Sequence, residues 1–360
     1  MSTPLRLAVV GVGRIGRHHA RHLQELSRER GDCRLVAVAD RHADTAERIA
    51  AELQTGQAQP IAAYETPEAL VAAGDVQAVV VASRTADHLR DTRCLVGAGL
   101  RILLEKPLAD TLEEAEELGS WLDADPARSR AVMLAFQRRY DPAMRRAEEL
   151  LRDGAIGELF KIESALEDPL PPPAGYQSPG LLADMAVHNV DEILWLGGRM
   201  PTAIAGFGAR LHNQRIPDVT PETFDDIFVQ LWLGPDRTAQ LQVSRNHVAG
   251  YRNECVLLGR RGRIHVGHFE GDPRHVRLEA TGPDHEVIER STFALPDHRE
   301  PVPPFIQRFG PAYKAEADAF IDRCVSHAVF DVTHDDGLAA MRVVAAGAEA
   351  LSTGIPLDLR

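Results

Sequence analysis

Six residues near the start of the chain, Gly11-Val12-Gly13-Arg14-Ile15-Gly16, constrain its fold more than any other feature. They follow an apolar run at 5–10 and open a helical pattern, the setting in which a G-x-G-x-x-G turn cradles a pyrophosphate. Gly11 permits the tight turn, Gly13 lets the backbone approach the anion, and Gly16 allows the helix to pack closely on the strand. The helix start supplies N–H groups and a favourable dipole for negative charge. The basic run from Arg14 to Arg21 suits the same anion.

A second apolar run at 35–39 ends in Asp40, 24 positions after Gly16 (40 − 16), the spacing of an acceptor for ribose hydroxyls. An ionised Asp40 repels a 2′-phosphate, so NAD is expected rather than NADP. Arg41 works against that preference, because a guanidinium just beyond the strand can neutralise such a phosphate. Runs at 78–82 and 101–104 complete a series of buried strands, alternating with helical stretches at 16–28, 44–54 and 112–122. Thr111 is placed to cap the last of these, with Glu114 three residues later. The pattern predicts an α/β fold, a doubly wound parallel sheet of Rossmann type over residues 1–130.

Beyond that point the texture changes. Alternating runs at 160–165, 227–233, 238–245 and 254–259 predict a large, mostly antiparallel open sheet. With helices at 181–196, 313–325 and 335–351, residues 131–360 read as an α+β domain. The segment Asp168-Pro169-Leu170-Pro171-Pro172-Pro173-Ala174-Gly175 is a stiff loop, since its prolines lack amide donors. It serves either as a surface connection or as a wall of a substrate cleft.

The formal net charge of −13 disfavours nucleic acid and anionic membranes as partners. Cys33, Cys94, Cys255 and Cys324 are scattered, with no C-x-x-C pair, and so suggest neither a zinc site nor a redox pair. His18, His19, His22, His265, His268 and His275 match no metal-binding spacing and read as solvated or helix-face residues, so no metal is expected. No apolar stretch is long enough to span a bilayer and no leader pattern precedes the first strand, which makes the cytoplasm the expected location.

Ligands of open α/β sheets bind at the carboxyl ends of the strands. The third strand ends there in Ser83 and Thr85, candidate hydrogen-bonding partners of the cofactor, followed by His88, read equally as a packing residue or a cofactor contact. The fourth ends in Glu105-Lys106-Pro107, where a lysine is costly unless it has a task. Downstream, Asp184 and His188 stand four residues apart in a helical pattern and so share one face.

In this order the phosphate turn, Glu105-Lys106-Pro107 and Asp184-x-x-x-His188 resemble the glucose-fructose oxidoreductase, inositol dehydrogenase and MocA family, and most of all its inositol dehydrogenase-like members. The likeness extends through Phe136-Gln137-Arg138-Arg139-Tyr140-Asp141-Pro142 and Asp335-Asp336-Gly337-Leu338-Ala339-Ala340, nearly the whole chain. It implies an NAD-dependent dehydrogenase that oxidises a secondary hydroxyl of an inositol, sugar or related polyol. Lys106 corresponds to the family's active-site lysine, His188 to its acid/base and Asp184 to a substrate-hydroxyl partner, with Asp191 in support. The resemblance also implies a homo-oligomer, dimer or tetramer, built through the C-terminal sheet.

Gln137 stands where inositol dehydrogenases more often carry asparagine, and Asn189 where aspartate is frequent, so the particular polyol is left open. The competing readings are an NADPH-dependent keto-sugar reductase of the same family and a regulator that senses nicotinamide nucleotides or sugars without turnover. Asp40 argues against the first; the set Lys106, Asp184 and His188 argues against the second.

Overall fold

The computed structural model describes residues 3–54, 60–169, 179–211, 223–267, 274–297 and 301–360. The chain forms two compact units, one of Met1–Gln137 with Tyr313–Leu338, the other of Arg138–Ala312 with Ala339–Arg360.

In the first unit the order is β1 (Leu5–Val10), α1 (Arg14–Arg30), β2 (Cys33–Ala39), α2 (Ala43–Gln54), β3 (Ala62–Tyr64), α3 (Pro67–Ala73), β4 (Ala78–Val81), α4 (His88–Gly97), β5 (Arg101–Glu105), α5 (Leu112–Asp123), α6 (Pro126–Ser129) and β6 (Val132–Ala135). The six strands form one parallel sheet in the order β3-β2-β1-β4-β5-β6. Its strands are continuous apolar runs rather than alternations because helices cover both faces. All four residues of β4 are fully buried. Burying such a side chain stabilises the fold by about 1.5–3 kcal/mol, which outweighs the modest strand preferences of alanine and leucine. The Thr111 Oγ1 accepts the Glu114 N–H at 3.2 Å, as the cap motif predicts. Strand order reverses between β1 and β4, so Gly11, Asp40, Ser83 and Lys106 all lie at the carboxyl edge.

The first unit runs a few residues past the boundary at 130 expected from sequence, because β6 is the sixth strand of the parallel sheet. It also takes in 313–338, which the sequence reading assigns to the second domain. Leu134 donates its N–H to the Val332 carbonyl at 3.2 Å, and Gly337 has room for no Cβ against Leu134 and Leu108. Helical periodicity shows that a segment has an apolar face; it does not show which sheet that face covers.

The second unit holds α7 (Pro142–Arg152), β7 (Leu159–Glu167), α8 (Leu181–Asp184), α9 (Val187–Gly197) and β8 to β14: Ala203–Ala209, Asp226–Trp232, Thr238–Ser244, Arg252–Gly259, Gly262–Gly267, His275–Thr281 and Val287–Ala294. α10 (Pro304–Val325) and α11 (His334–Thr353) give residues to both units, and β15 (Leu357–Asp358) ends the chain. Nine strands form a sheet ordered β14-β13-β12-β11-β7-β10-β9-β8-β15. Among the described residues of this sheet, only β7 and β10 pair in parallel. Period-two alternation divides its faces: Ile227, Val229 and Leu231 point into the core, while Phe228 and Trp232 remain 41% and 40% exposed. α7 and α9 pack on the sheet.

Asp141 anchors α7, its Oδ1 accepting the Met144 N–H at 3.1 Å. The same carboxylate takes both terminal nitrogens of Arg308, at 2.6 and 3.2 Å, with both partners buried. Of the proline-rich segment noted above, residues 170–178 lie outside the described residues, as does His268.

Candidate active site

The phosphate turn has the geometry its glycines predict. Gly11 adopts φ +79°, and a Cβ there would lie 2.4 Å from the Ser83 nitrogen. A Cβ on Gly16 would meet the Gly11 carbonyl oxygen at 1.7 Å, so helix and turn touch only because no side chain intervenes. Gly13 faces open space, the cradle that a pyrophosphate requires. It starts α1 with no side-chain cap, and the first turn holds no acidic residue, which leaves the dipole available to an anion.

Asp40 is tied into that turn. Its Oδ2 accepts the Val12 N–H at 3.0 Å and its Oδ1 the His42 N–H at 3.0 Å. Each carboxylate oxygen retains acceptor capacity for ribose hydroxyls. Gly11, Gly13, Asp40, Arg41 and Ser83 line a cavity of about 470 Å³ together with Glu65 and Glu68. Of the arginines there, Arg84 is paired with Asp87 at 3.1 Å and Arg90 with Asp91 at 2.7 Å. Arg41 meets His42 Nε2 at 3.2 Å. A cavity with Asp40 at its floor and two of its arginines already neutralised suits the diol of NAD better than a 2′-phosphate. Ser83 donates to Asp91 Oδ2 at 2.7 Å, so its hydroxyl is held in place, and Thr85 sits in the 3-10 turn that follows. Arg14 and Ile15 open α1 beside Gly13.

His88 is 1% exposed and does not line this cavity. Its Nδ1 lies 2.8 Å from the Pro107 carbonyl and its Nε2 3.3 Å from that of Ser83. Burial holds its pKa below the ordinary histidine value, so it is a neutral brace between the loops after β4 and β5.

Glu105 is buried, 7% exposed. Its Oε1 meets His19 Nε2 at 2.8 Å, and its Oε2 accepts the Lys106 N–H at 3.1 Å. His19 is fully buried and edge-on to Tyr313, with ring centroids 5.6 Å apart. Of the two expectations for His19, solvated or helix-face, the first is therefore corrected and the face is the buried one. It belongs to the buried stripe Gly16, His19, Ala20 and Leu23 of α1, a spacing that sequence periodicity could have revealed. His18 is also partly buried, and burial lowers its pKa to about 4.

In the second unit, Asp184 and His188 do not lie on one continuous helix. α8 ends at Asp184 and α9 begins at Val187; between them the N–H groups of Met185 and Ala186 both reach the Leu181 carbonyl, at 3.0 and 3.1 Å. The apolar spacing runs through this break, and so sequence alone reads one helix. Asp184 Oδ2 accepts Arg245 Nη2 at 2.5 Å, from the residue just after β10. His188 is 8% exposed, on the first turn of α9.

Behind it, charged side chains fix the helix. Asn189 accepts from Arg138 at 3.0 Å and donates to Ser164 Oγ at 2.8 Å. Arg138 also reaches Glu192 at 3.2 Å, and Arg139 grips both oxygens of Asp191, at 2.5 and 3.0 Å. Burial raises the Glu192 pKa, opposed by Arg138. Asp191 is thus a structural support for α9. Arg138, Arg139 and Arg245 have no assigned role in the sequence reading, because their partners lie tens of residues away.

Residues 5–135 match the model of an oxidoreductase family with an NAD-binding Rossmann fold, and residues 144–265 that of the GFO/IDH/MocA C-terminal domain. The chain belongs to this family. Among curated relatives, it is 28% identical to inositol 2-dehydrogenase of Rhizobium meliloti (strain 1021), over 97% of each chain. It is 30% identical to myo-inositol dehydrogenase Hyg17 of Streptomyces leeuwenhoekii, covering 88% of this chain and 87% of that one. Among solved structures, scyllo-inositol dehydrogenase from Lactobacillus casei with bound NAD(H) and scyllo-inositol superposes with a TM-score of 0.79 at 22% identity, over 99% of each chain. This protein is accordingly an NAD-binding oxidoreductase of the family, with the Rossmann sheet and the mostly antiparallel sheet its sequence predicts. No described helix is long and apolar enough to cross a membrane.

Proposed function

We propose that this protein oxidises a secondary hydroxyl of an inositol or closely related cyclic polyol, with Lys106, Asp184 and His188 as the residues that act on substrate. The observation that carries the reading is the position of the family's lysine just after β5, its backbone N–H held by a buried Glu105 that itself meets His19.

Bound NAD supplies the hydride acceptor. His188, a side chain whose ordinary pKa lies near neutrality, takes the hydroxyl proton as the carbon loses hydride. Lys106 stabilises the developing alkoxide through its charge. Asp184, held in place by Arg245, accepts a hydrogen bond from a neighbouring hydroxyl and orients the ring. Asp40, Gly11 and Gly13 hold the dinucleotide, with Arg14, Ile15, Gly16, Arg41, Ser83, Thr85, His88 and Glu105 shaping the surrounding turn and loops. A carbonyl product returns by the same path in reverse.

The names of the relatives support inositols as the first substrates to test, since the Rhizobium meliloti and Streptomyces leeuwenhoekii proteins are inositol dehydrogenases by name. The keto-sugar reductase reading requires NADPH, which Asp40 disfavours. A second copy of the chain is the expected partner, through the open face of the nine-stranded sheet. Phe207 and Phe228 stack there at 5.5 Å, with Phe207 69% exposed. Purified protein assayed for reduced-nicotinamide absorbance with NAD and NADP separately, across inositols, aldoses and sugar acids, tests the reading. Turnover with NAD and a cyclic polyol supports it; dinucleotide binding without any turnover on these substrates refutes it.

A further inference from the structure

The first unit has a second cavity, at the amino-terminal edge of its sheet, opposite the strand ends that carry Gly11, Asp40 and Lys106. It measures about 570 Å³. Arg101 opens β5 at its floor, Arg130 precedes β6, and Trp121, Arg128 and His327 come from the segments beside them. The volume falls within the roughly 300–1,000 Å³ of small-molecule sites.

Its charge is the opposite of the molecule's. Three guanidiniums and His327 face a single carboxylate, Asp125, among the residues lining it, in a chain of net charge −13. Asp125 lies 3.5 Å from Arg128 and leaves the other two arginines unneutralised. Arg130 makes no ion pair among the described residues. Arg101 has no carboxylate partner either: its terminal nitrogens donate to the backbone carbonyls of Arg323 and Ala328, and its guanidinium lies 3.9 Å from the centre of the Phe330 ring. Burial pulls its pKa down, opposed by a smaller electrostatic contribution from Cys324. The protein thus fixes the orientation of this guanidinium through uncharged partners and sets no carboxylate against it among the described residues. An anion in the cavity would complete the set. Val96, Ala131 and Val329 supply apolar lining, so part of the occupant is apolar, and Trp121 carries the Arg128 guanidinium 4.6 Å above its ring.

We infer that this cavity binds a small organic anion, carrying phosphate or carboxylate groups on an apolar body, at a site separate from the cofactor's. Arg101 and Arg130 contact the anionic group, with Arg128 held over Trp121 beside it.

The test is isothermal titration of the full chain saturated with NAD, which fills the phosphate turn, at constant ionic strength. The probes are phenyl phosphate, isophthalate and inorganic phosphate; none is a polyol. One organic probe per chain should bind, with affinity at least tenfold weaker in Arg130→Glu and NAD affinity unchanged. The phenyl phosphate and isophthalate arms separate a phosphorylated from a carboxylated ligand. Arg130 is exposed, so this variant keeps the fold even if Arg101→Met does not. Absence of binding by both organic probes, binding of inorganic phosphate alone, or binding unchanged in Arg130→Glu combined with Arg128→Glu overturns the inference.

Discussion

Replacing Asp40 with asparagine tests the cofactor site at its most informative point. The carboxylate accepts the Val12 and His42 N–H groups, each at 3.0 Å, and offers its remaining lone pairs to ribose. Asparagine keeps one acceptor oxygen of similar shape and loses the charge. A hydrogen bond to a charged acceptor contributes about 1.5–3 kcal/mol. Losing the equivalent of one such bond weakens NAD binding by roughly 10- to 150-fold, at about 1.4 kcal/mol per factor of ten. NADP moves the other way. A carboxylate about 4 Å from a 2′-phosphate repels it by about 4 kcal/mol at an effective dielectric of 20, and Asp40 is only half-buried, so about 1–2 kcal/mol is the relief expected. Together these shift the NAD/NADP preference by about 100-fold or more. Dissociation constants for NADH and NADPH from nicotinamide fluorescence measure both arms, and far-ultraviolet circular dichroism confirms the fold. A preference that moves less than about threefold in a folded variant would refute the ribose assignment, since a tenfold effect is the smallest the bond energy permits.

Four further outcomes follow from individual contacts. Lys106→Ala should nearly abolish turnover while NAD binding stays measurable; equal kcat in the variant removes the lysine from the mechanism. Gly16→Ala places a Cβ 1.7 Å from the Gly11 carbonyl oxygen, so the turn must open, with at least about 2 kcal/mol lost in urea unfolding and NAD binding lost with it. Asp141→Ala leaves Arg308 buried without its partner and uncaps α7, a loss of about 3–5 kcal/mol, and a change below about 1 kcal/mol would show that the pair contributes little. His88 bears on pH. Burial depresses its folded pKa below the unfolded value of about 6.5, so the unfolded chain binds more protons as pH falls below that value, and stability declines with it. His88→Asn should flatten the stability slope between about pH 6.5 and 5 relative to the parent; an unchanged slope would show that His88 is not buried neutral.

Signals carried by neighbouring residues were legible in advance. A turn needs its glycines within six positions, a cap needs Thr111 three residues from Glu114, and an alternating strand such as β9 shows its two faces within seven residues. The same locality exposes Lys106 at the end of β5 and Asp40 at the end of β2, because an apolar run that stops in a charge marks the edge of a sheet.

What the amino-acid sequence determined by itself is therefore the fold class, the dinucleotide turn and the candidates Lys106, Asp184 and His188. Tertiary structure alone decided that Glu105 leans on His19, 86 positions away, that Arg245 holds Asp184 from 61 positions away, and that 313–338 belongs with the parallel sheet. It also broke the helix between Asp184 and His188, where apolar spacing runs on unchanged. The physical reason is common to all four. Periodicity records whether a side chain faces a core, whereas the partner of a buried charge, and the helix that covers a given strand, depend on which distant segments the folded chain brings together.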